Sequence, residues 1–188
     1  SWEMIERARQ GDQSAFAGLF QQYQARLAVF VHFHMGTRLR GRYEVEDVLQ
    51  EIFLQAFRDL PDFVYRSPGS FARWLFQIAR HTLQDMARYQ DRHKRRASEE
   101  CSCQSPSFWG REEPLDRNSP SRIFLQRERV EHLLRGLEAL SEKERDLILS
   151  AKVEGLSLQQ ISEQTGEDKC MISLHLHRAL RKLNRQVV

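Results

Sequence analysis

The sequence predicts an all-α protein of two small helical domains that a flexible linker joins. Proline and glycine are scarce, with 5 and 9 among 188 residues, and the β-branched alternation that marks strands is nearly absent. Apolar residues instead recur at helical spacing in segments at 2–10, 13–35, 44–59, 69–95, 121–139, 142–153, 157–164 and 169–185.

The linker is predicted from a break in this pattern. Between 93 and 120 the helical period stops, and the run holds three prolines and five serines. A structureless stretch of that length is unusual inside one compact domain. We therefore expect an N-terminal domain at 1–95, a linker at 96–120 and a C-terminal domain at 121–188.

Composition limits the class of protein. Hydrophobic residues make up 40% and charged residues 29%, which is typical of a globular chain and unlike a disordered or fibrous one. No apolar run has the length of about 20 residues that a membrane span needs, and no signal-peptide core is present. We expect a cytoplasmic protein without membrane insertion. Cys101, Cys103 and Cys170 are too few for a disulfide framework.

Charge is sorted by segment. Six acids and one base lie at 44–62, six bases and two acids at 79–96, and five bases without an acid at 169–188. Ordinary solvated faces could give such a pattern. Separate acidic and basic surfaces on two domains also predict two kinds of partner, one of them nucleic acid.

The acidic segment has an apolar residue on its polar side. On a helical wheel the apolar residues of 44–60 cover one half and are expected to face the core: Val45, Val48, Leu49, Ile52, Phe53, Ala56, Phe57 and Leu60. The opposite stripe consists of Asp47, Gln50, Glu51, Leu54 and Arg58. A single exposed leucine often has no role, but an apolar anchor with a polar rim is also how helix-docking faces are built.

The next helix has a polar face suited to nucleic acid. Its buried stripe is expected to hold Phe71, Leu75, Ile78, Thr82, Met86 and Tyr89, and its polar face holds Arg73, Gln77, Arg80, Gln84 and Arg88. Arginine and glutamine can bond to base edges and to phosphates. The preceding loop carries Phe63, Tyr65 and Arg66, which are suited to stacking an unpaired base.

The C-terminal segments predict a helical hairpin. Ser157 and Gln160 form a capping box that begins the first helix, and Gly166 marks the turn. The second helix, at about 169–185, is expected to bury Met171 or Ile172, Leu176, Ala179 or Leu180, and Leu183. Its exposed residues would be Lys169, Ser173, Leu174, His175 and Arg178.

Four motifs, in this order, resemble the extracytoplasmic-function (ECF) sigma factors, small bacterial transcription-initiation factors. They read "RARQGDQSAFAGLFQQYQARL", "EVEDVLQEIFLQAF", "SFARWLFQIARHTLQDMAR" and "LEALSEKERDLILSAKVEGLSLQQISEQTGEDKCMISLHLHRALRKL". Together they cover almost the whole chain except the linker. The resemblance implies a sigma region 2 domain and a sigma region 4 domain whose helix-turn-helix binds DNA.

The resemblance also assigns roles. Asp47, Gln50, Glu51, Leu54 and Arg58 would bind core RNA polymerase at the β′ clamp helices, while the β flap would be a further contact. The promoter −10 element would be bound by Phe63, Tyr65, Arg66, Arg73, Gln77, Arg80, His81, Gln84 and Arg88. The −35 element would be bound by Lys169, Ser173, Leu174, His175, Arg178 and Arg181. An anti-sigma protein is implied as a further partner, and no cofactor or metal is.

Two departures from the family pattern concern DNA contacts. The run from Met171 to His175 stands where the family usually has threonine–valine–lysine–serine–arginine, so two cations are missing from the expected reading surface. His81 stands where an asparagine is commoner.

Other functions fit less well. A metal or redox site at Cys101, Cys103 and His93 has no second ligand pair, and linker cysteines without a role are the simpler interpretation. The histidines of "HFH" at 32–34 fit the end of a buried helix better than a ligand pair. No catalytic motif is present. The main alternative is a dimeric helix-turn-helix regulator, which has no need of the stripe around Leu54.

Overall fold

The fold is all-α, as the sequence predicts. The computed structural model describes residues 2–97 and 130–187, and none of these residues forms a strand. The N-terminal part contains α1 (Trp2–Arg9), α2 (Gln13–His34), α3 (Thr37–Arg40), α4 (Val45–Asp59), a 3₁₀ turn (Leu60–Asp62) and α5 (Ser70–Ala97). The C-terminal part contains α6 (130–138), α7 (Glu142–Ile148), a π-helix (Leu149–Glu154), α8 (Leu158–Thr165) and α9 (Lys169–Val187).

Local sequence explains where several helices begin. Asp12 caps α2, because its carboxylate accepts hydrogen bonds from the backbone N–H groups of Ser14 at 2.9 Å and Ala15 at 3.1 Å. The capping box predicted for α8 is confirmed: the Ser157 N–H donates to Gln160 Oε1 at 2.9 Å, and the Gln160 N–H donates to Ser157 Oγ at 3.2 Å. The four-residue helix α3 was not predicted, because it is too short to show a helical period.

The N-terminal bundle is built around α2, which contacts α1, α4 and α5. The side chains of Leu27 and Phe30 on α2, Ile52 on α4 and Phe76 on α5 are fully buried between these helices. The bundle therefore fixes the orientation of α4 and α5, whose outer faces carry the residues of functional interest.

The C-terminal part turns sharply at the end of its π-helix. Gly155 has a φ of +78°, in the left-handed region, and its N–H donates to the carbonyl of Ser150. A Cβ atom at this position would lie 3.4 Å from Arg26 Nη2. Glycine therefore permits both the turn and the close approach of a side chain from α2.

The two parts pack against each other. Arg26 on α2 donates from Nε to the Val153 carbonyl at 2.9 Å, and the Arg80 guanidinium on α5 forms an ion pair with Glu154. The apolar core is continuous across the boundary, from Phe30 and Phe76 to Leu149. Helix α5 runs to Ala97, past the predicted start of the linker at 96, and residues 98–129 lie outside the described part of the chain.

Candidate functional surfaces

The polar stripe of α4, which we call the acidic face, consists of Asp47, Gln50, Glu51, Leu54 and Arg58. Leu54 is 38% exposed, and of the stripe only Glu51 is half-buried. The Asp47 carboxylate also accepts the backbone N–H of Glu44 at 2.9 Å, which helps to begin α4. The acidic face thus presents one leucine among polar groups on the side of α4 away from the core.

Phe57 extends this surface. We expected it to face the core, but it is 48% exposed and its ring meets Phe16 edge-on, with 4.9 Å between centroids. The prediction was wrong because Phe57 lies at the edge of the apolar half of α4, where α2 covers its ring only in part, through Phe16. Leu54 and Phe57 therefore lie side by side as an exposed apolar pair.

The loop before α5 differs from the sequence interpretation at one position. Phe63 is buried, 5.0 Å from the Trp74 ring and 5.5 Å from the Phe71 ring between centroids. It cannot stack on a base in this conformation. Arg66 is exposed, and half-buried Tyr65 has its ring 4.6 Å from that of Trp2.

The polar side of α5, which we call the arginine face, is only partly open. Gln77, His81, Gln84 and Arg88 are exposed, whereas Arg73 and Arg80 are half-buried. Arg73 Nη2 donates to Ser67 Oγ at 3.1 Å, so it braces the loop that precedes its helix. Tyr89, expected in the buried stripe, is exposed instead.

Arg80 forms an ion pair with a residue of the C-terminal part. Its ion-pair partner Glu154 is only 3% exposed, at the end of the π-helix. The Arg80 guanidinium also lies over the Phe30 ring, 5.7 Å from its centroid. The sequence does not predict this pair, because no local pattern connects two residues so far apart in the chain.

The helix-turn-helix is formed by α8 and α9. Gly166 ends α8 with a φ of +74°, and the buried side chains of Ile161 and Ile172 lie on its two helices. Of the pair Met171 or Ile172, the structure therefore buries Ile172 and leaves Met171 exposed.

The predicted contact residues of α9 are mostly accessible. Lys169, Ser173, Leu174, Arg178 and Arg181 are exposed. His175 was expected to be exposed but is half-buried, with its Nδ1 atom 3.8 Å from a Glu167 carboxylate oxygen. His175 is partly covered because, at 3.6 residues per turn, it lies on the same side of α9 as the buried residues Ile172 and Ala179.

The other candidate sites involve cysteine and histidine side chains. Cys101 and Cys103 lie outside the described residues, and those described include no group of three metal-ligating side chains close together. His34 stacks on Phe30, and His32 Nε2 lies 3.1 Å from Glu138 Oε1. Within 2–97 and 130–187, no helix is long and apolar enough to span a bilayer.

Comparison with known proteins identifies the family. Residues 19–93 match the model of Sigma-70 region 2, and residues 131–183 match that of Sigma-70, region 4. The ECF RNA polymerase sigma-E factor of Escherichia coli strain K12 is 30% identical over 159 residues, covering 85% of this chain and 79% of the relative. The chain belongs to the ECF RNA polymerase sigma factors.

A second relative carries the same family name as the sigma-E factor of Escherichia coli. The sigma-E factor of Haemophilus influenzae is 29% identical over 161 residues, covering 85% of this chain and 80% of the relative. A solved structure of CnrH in complex with the cytosolic domain of CnrY is 22% identical, covers 97% of this chain and 94% of that one, and has a TM-score of 0.47.

As an ECF sigma factor, the protein acts in transcription initiation. The acidic face and the arginine face both lie within its region 2 match, and α8 and α9 lie within or overlap its region 4 match. Two of the candidate surfaces therefore lie in region 2 and the third in region 4, and the two regions are in direct contact.

Proposed function

We propose that this sigma factor binds core RNA polymerase through the acidic face and directs it to promoters by contacting the −10 and −35 elements. The observation that carries the proposal is the separation of two surfaces on adjacent helices. Leu54 and Phe57 are exposed on α4, while the arginine face lies on α5, which packs against α4. One small bundle can therefore hold a protein partner and DNA at once.

The polymerase contact is proposed for the β′ clamp helices. An exposed leucine with acidic and amide neighbours suits a partner helix that offers apolar and basic side chains. Phe57 enlarges the apolar anchor beyond what the stripe of Asp47, Gln50, Glu51, Leu54 and Arg58 provides. Region 4 would make a second contact at the β flap.

The −10 contact is proposed for the arginine face and the preceding loop. Arg73, Gln77, Arg80, His81, Gln84 and Arg88 would meet the promoter, with Tyr65 and Arg66 holding an unpaired base. Phe63 is buried against Phe71 and Trp74, where it supports the loop, and it is not proposed as a DNA contact. Strand opening costs a few kcal/mol of unstacking for each flipped base, which the bound loop would offset.

Arg80 donates to Glu154 from Nη2, so its other guanidinium N–H groups are the donors that would contact a phosphate. The −35 contact is proposed for the exposed residues of α9, and an anti-sigma protein that covers these surfaces stays a prediction.

Transcription with purified polymerase tests the proposal. Core enzyme with this protein is expected to start RNA synthesis at discrete sites on a library of genomic fragments, and core enzyme alone is not. Absence of discrete start sites would reject the proposal. Tight binding of duplex operators by the free protein would favour the dimeric regulator.

A pair of variants tests the acidic face. Leu54→Ala with Asp47→Asn should weaken binding to core polymerase about tenfold or more, while the asparagine retains an oxygen that can accept the Glu44 N–H. Val64→Ala removes another exposed apolar side chain, in the loop that follows the 3₁₀ turn, and should leave the affinity unchanged. Equal affinities of all three proteins in a fluorescence titration would remove α4 from the interface.

A further inference from the structure

The outer face of α9 carries two large apolar side chains. Leu174 is 42% exposed and Met171 is 47% exposed. The helix buries Ile172, Ala179 and Leu183, and at 3.6 residues per turn Leu174 lies almost diametrically opposite those three. Met171 lies one turn earlier on the same outer side. Neither residue belongs to the apolar core.

Hydrogen bonds fix the backbone at the start of α9, from which these side chains project. The Cys170 N–H donates to the Asp168 carboxylate at 2.8 Å, and the Ile172 N–H donates to the Asp168 carbonyl at 2.9 Å. The turn itself is held by a hydrogen bond from Ser162 Oγ to the Glu167 carbonyl at 2.6 Å. In a helix-turn-helix, the N-terminal half of the second helix is the part that reaches base edges.

The charges around the apolar pair favour a polyanion as the binding partner of this face. Lys169, Arg178 and Arg181 are exposed, and α9 contains no acidic residue. In the turn before α9, Asp168 is engaged at the helix start and Glu167 faces His175, while Glu144 pairs with Lys182 farther along the helix. Cations flanking an apolar centre fit a DNA groove, with phosphates at the edges and bases in the middle.

The chemistry of a base edge decides what an aliphatic side chain can recognise there. Leucine and methionine offer no strong hydrogen bond, but in the major groove the C5-methyl of thymine is an apolar surface that the other three bases lack. We propose that Leu174, with Met171 beside it, reads thymine methyl groups in the −35 element. This inference rests on the proposed function of α9 as the −35 reader.

Thymine and uracil differ by this one methyl, which makes the test specific. The holoenzyme would first select −35 elements from a random library, where thymine should be enriched at one or two positions. Replacing that thymine by deoxyuridine should then weaken promoter binding about fourfold for each methyl removed from a buried contact.

Variants assign the effect to a side chain. Leu174→Ala should bind thymine and deoxyuridine promoters equally and lose the thymine enrichment. Asn184→Ala, at an exposed position near the C-terminal end of α9, should keep the fourfold difference. Circular dichroism melting checks that both variants are folded, as their exposed positions lead us to expect.

The outcomes separate this inference from the proposed function. A wild-type holoenzyme that transcribes from selected promoters but does not distinguish thymine from deoxyuridine overturns methyl reading and leaves the sigma function intact. Methyl reading is also overturned if Leu174→Ala weakens binding to the thymine and deoxyuridine promoters by the same factor, so that the difference between them remains. The leucine would then serve a contact other than the methyl, such as a protein partner. Failure to transcribe from any promoter rejects the proposed function itself.

Discussion

The ion pair between Arg80 and Glu154 should contribute measurably to stability, and replacing Arg80 by methionine tests this. Methionine retains most of the aliphatic length and removes the charge. Glu154 is 3% exposed, so its carboxylate would remain in the interior without a cation. Breaking a fully buried pair costs about 3–5 kcal/mol and an exposed pair contributes about 0–1 kcal/mol. Since Arg80 is half-buried, we expect a loss of about 2 kcal/mol, between these limits.

A double-mutant cycle isolates the pair. Arg80→Met, Glu154→Gln and the double variant would be unfolded in urea and followed by circular dichroism. The methionine also loses the position of the guanidinium over Phe30, but this contribution cancels in the cycle. We expect a coupling energy of about 1–2 kcal/mol, because the double variant leaves no buried charge.

A control lies on the same helix. Arg88 is exposed, and its guanidinium is 3.5 Å from the exposed Asp85 carboxylate. Arg88→Met should therefore change the free energy of unfolding by less than about 0.5 kcal/mol. If Arg80→Met costs no more than Arg88→Met, or if the coupling is below about 0.3 kcal/mol, the two parts are not held together by this pair.

Three further measurements test a DNA contact, a glycine turn and a helix cap. Arg88→Ala should lower the slope of log affinity against log salt for promoter complexes by about one, as for one lost phosphate contact; an unchanged slope excludes that contact. Gly155→Ala should destabilise the fold by about 1–2 kcal/mol in urea unfolding, because its φ is +78° and a Cβ would lie 3.4 Å from Arg26; an unaltered midpoint would contradict this. Hydrogen bonds from the Ser14 side chain and neighbouring groups hold the pKa of Asp12 below its usual range. The resulting stabilisation is present at neutral pH, begins to decrease as pH falls below about 4 and is lost only as pH falls through the lowered pKa. Asp12→Asn should thus be less stable than wild type at pH 7 and more nearly equal at pH 3.

Helix positions could be read from the sequence because their signals are local. The apolar period of α4 placed Leu54 outside and Ile52 inside, and the structure agrees. The capping box of α8 depends on two residues only three positions apart, Ser157 and Gln160. Such signals need no knowledge of which other helix lies nearby.

Burial at the edge of a helix was less predictable. Phe57 belongs to the apolar half of α4 and is nevertheless exposed, because the bundle ends beside it. Phe63 belongs to a loop and is nevertheless buried, because the chain reverses at Gly69 and brings Phe71 and Trp74 over it. A helical wheel gives the direction of a side chain, but the neighbouring element decides whether that direction is covered.

The sequence by itself determined the longer helices, the capping box of α8 and the placement of an acidic stripe on α4 and an arginine-rich one on α5, because each depends on residues within a few turns of one another. Only the tertiary structure decided that Arg80 meets a buried Glu154 and that Arg26 reaches the Val153 carbonyl. Those contacts join residues far apart in the chain, and their geometry exists only once the two parts have packed together.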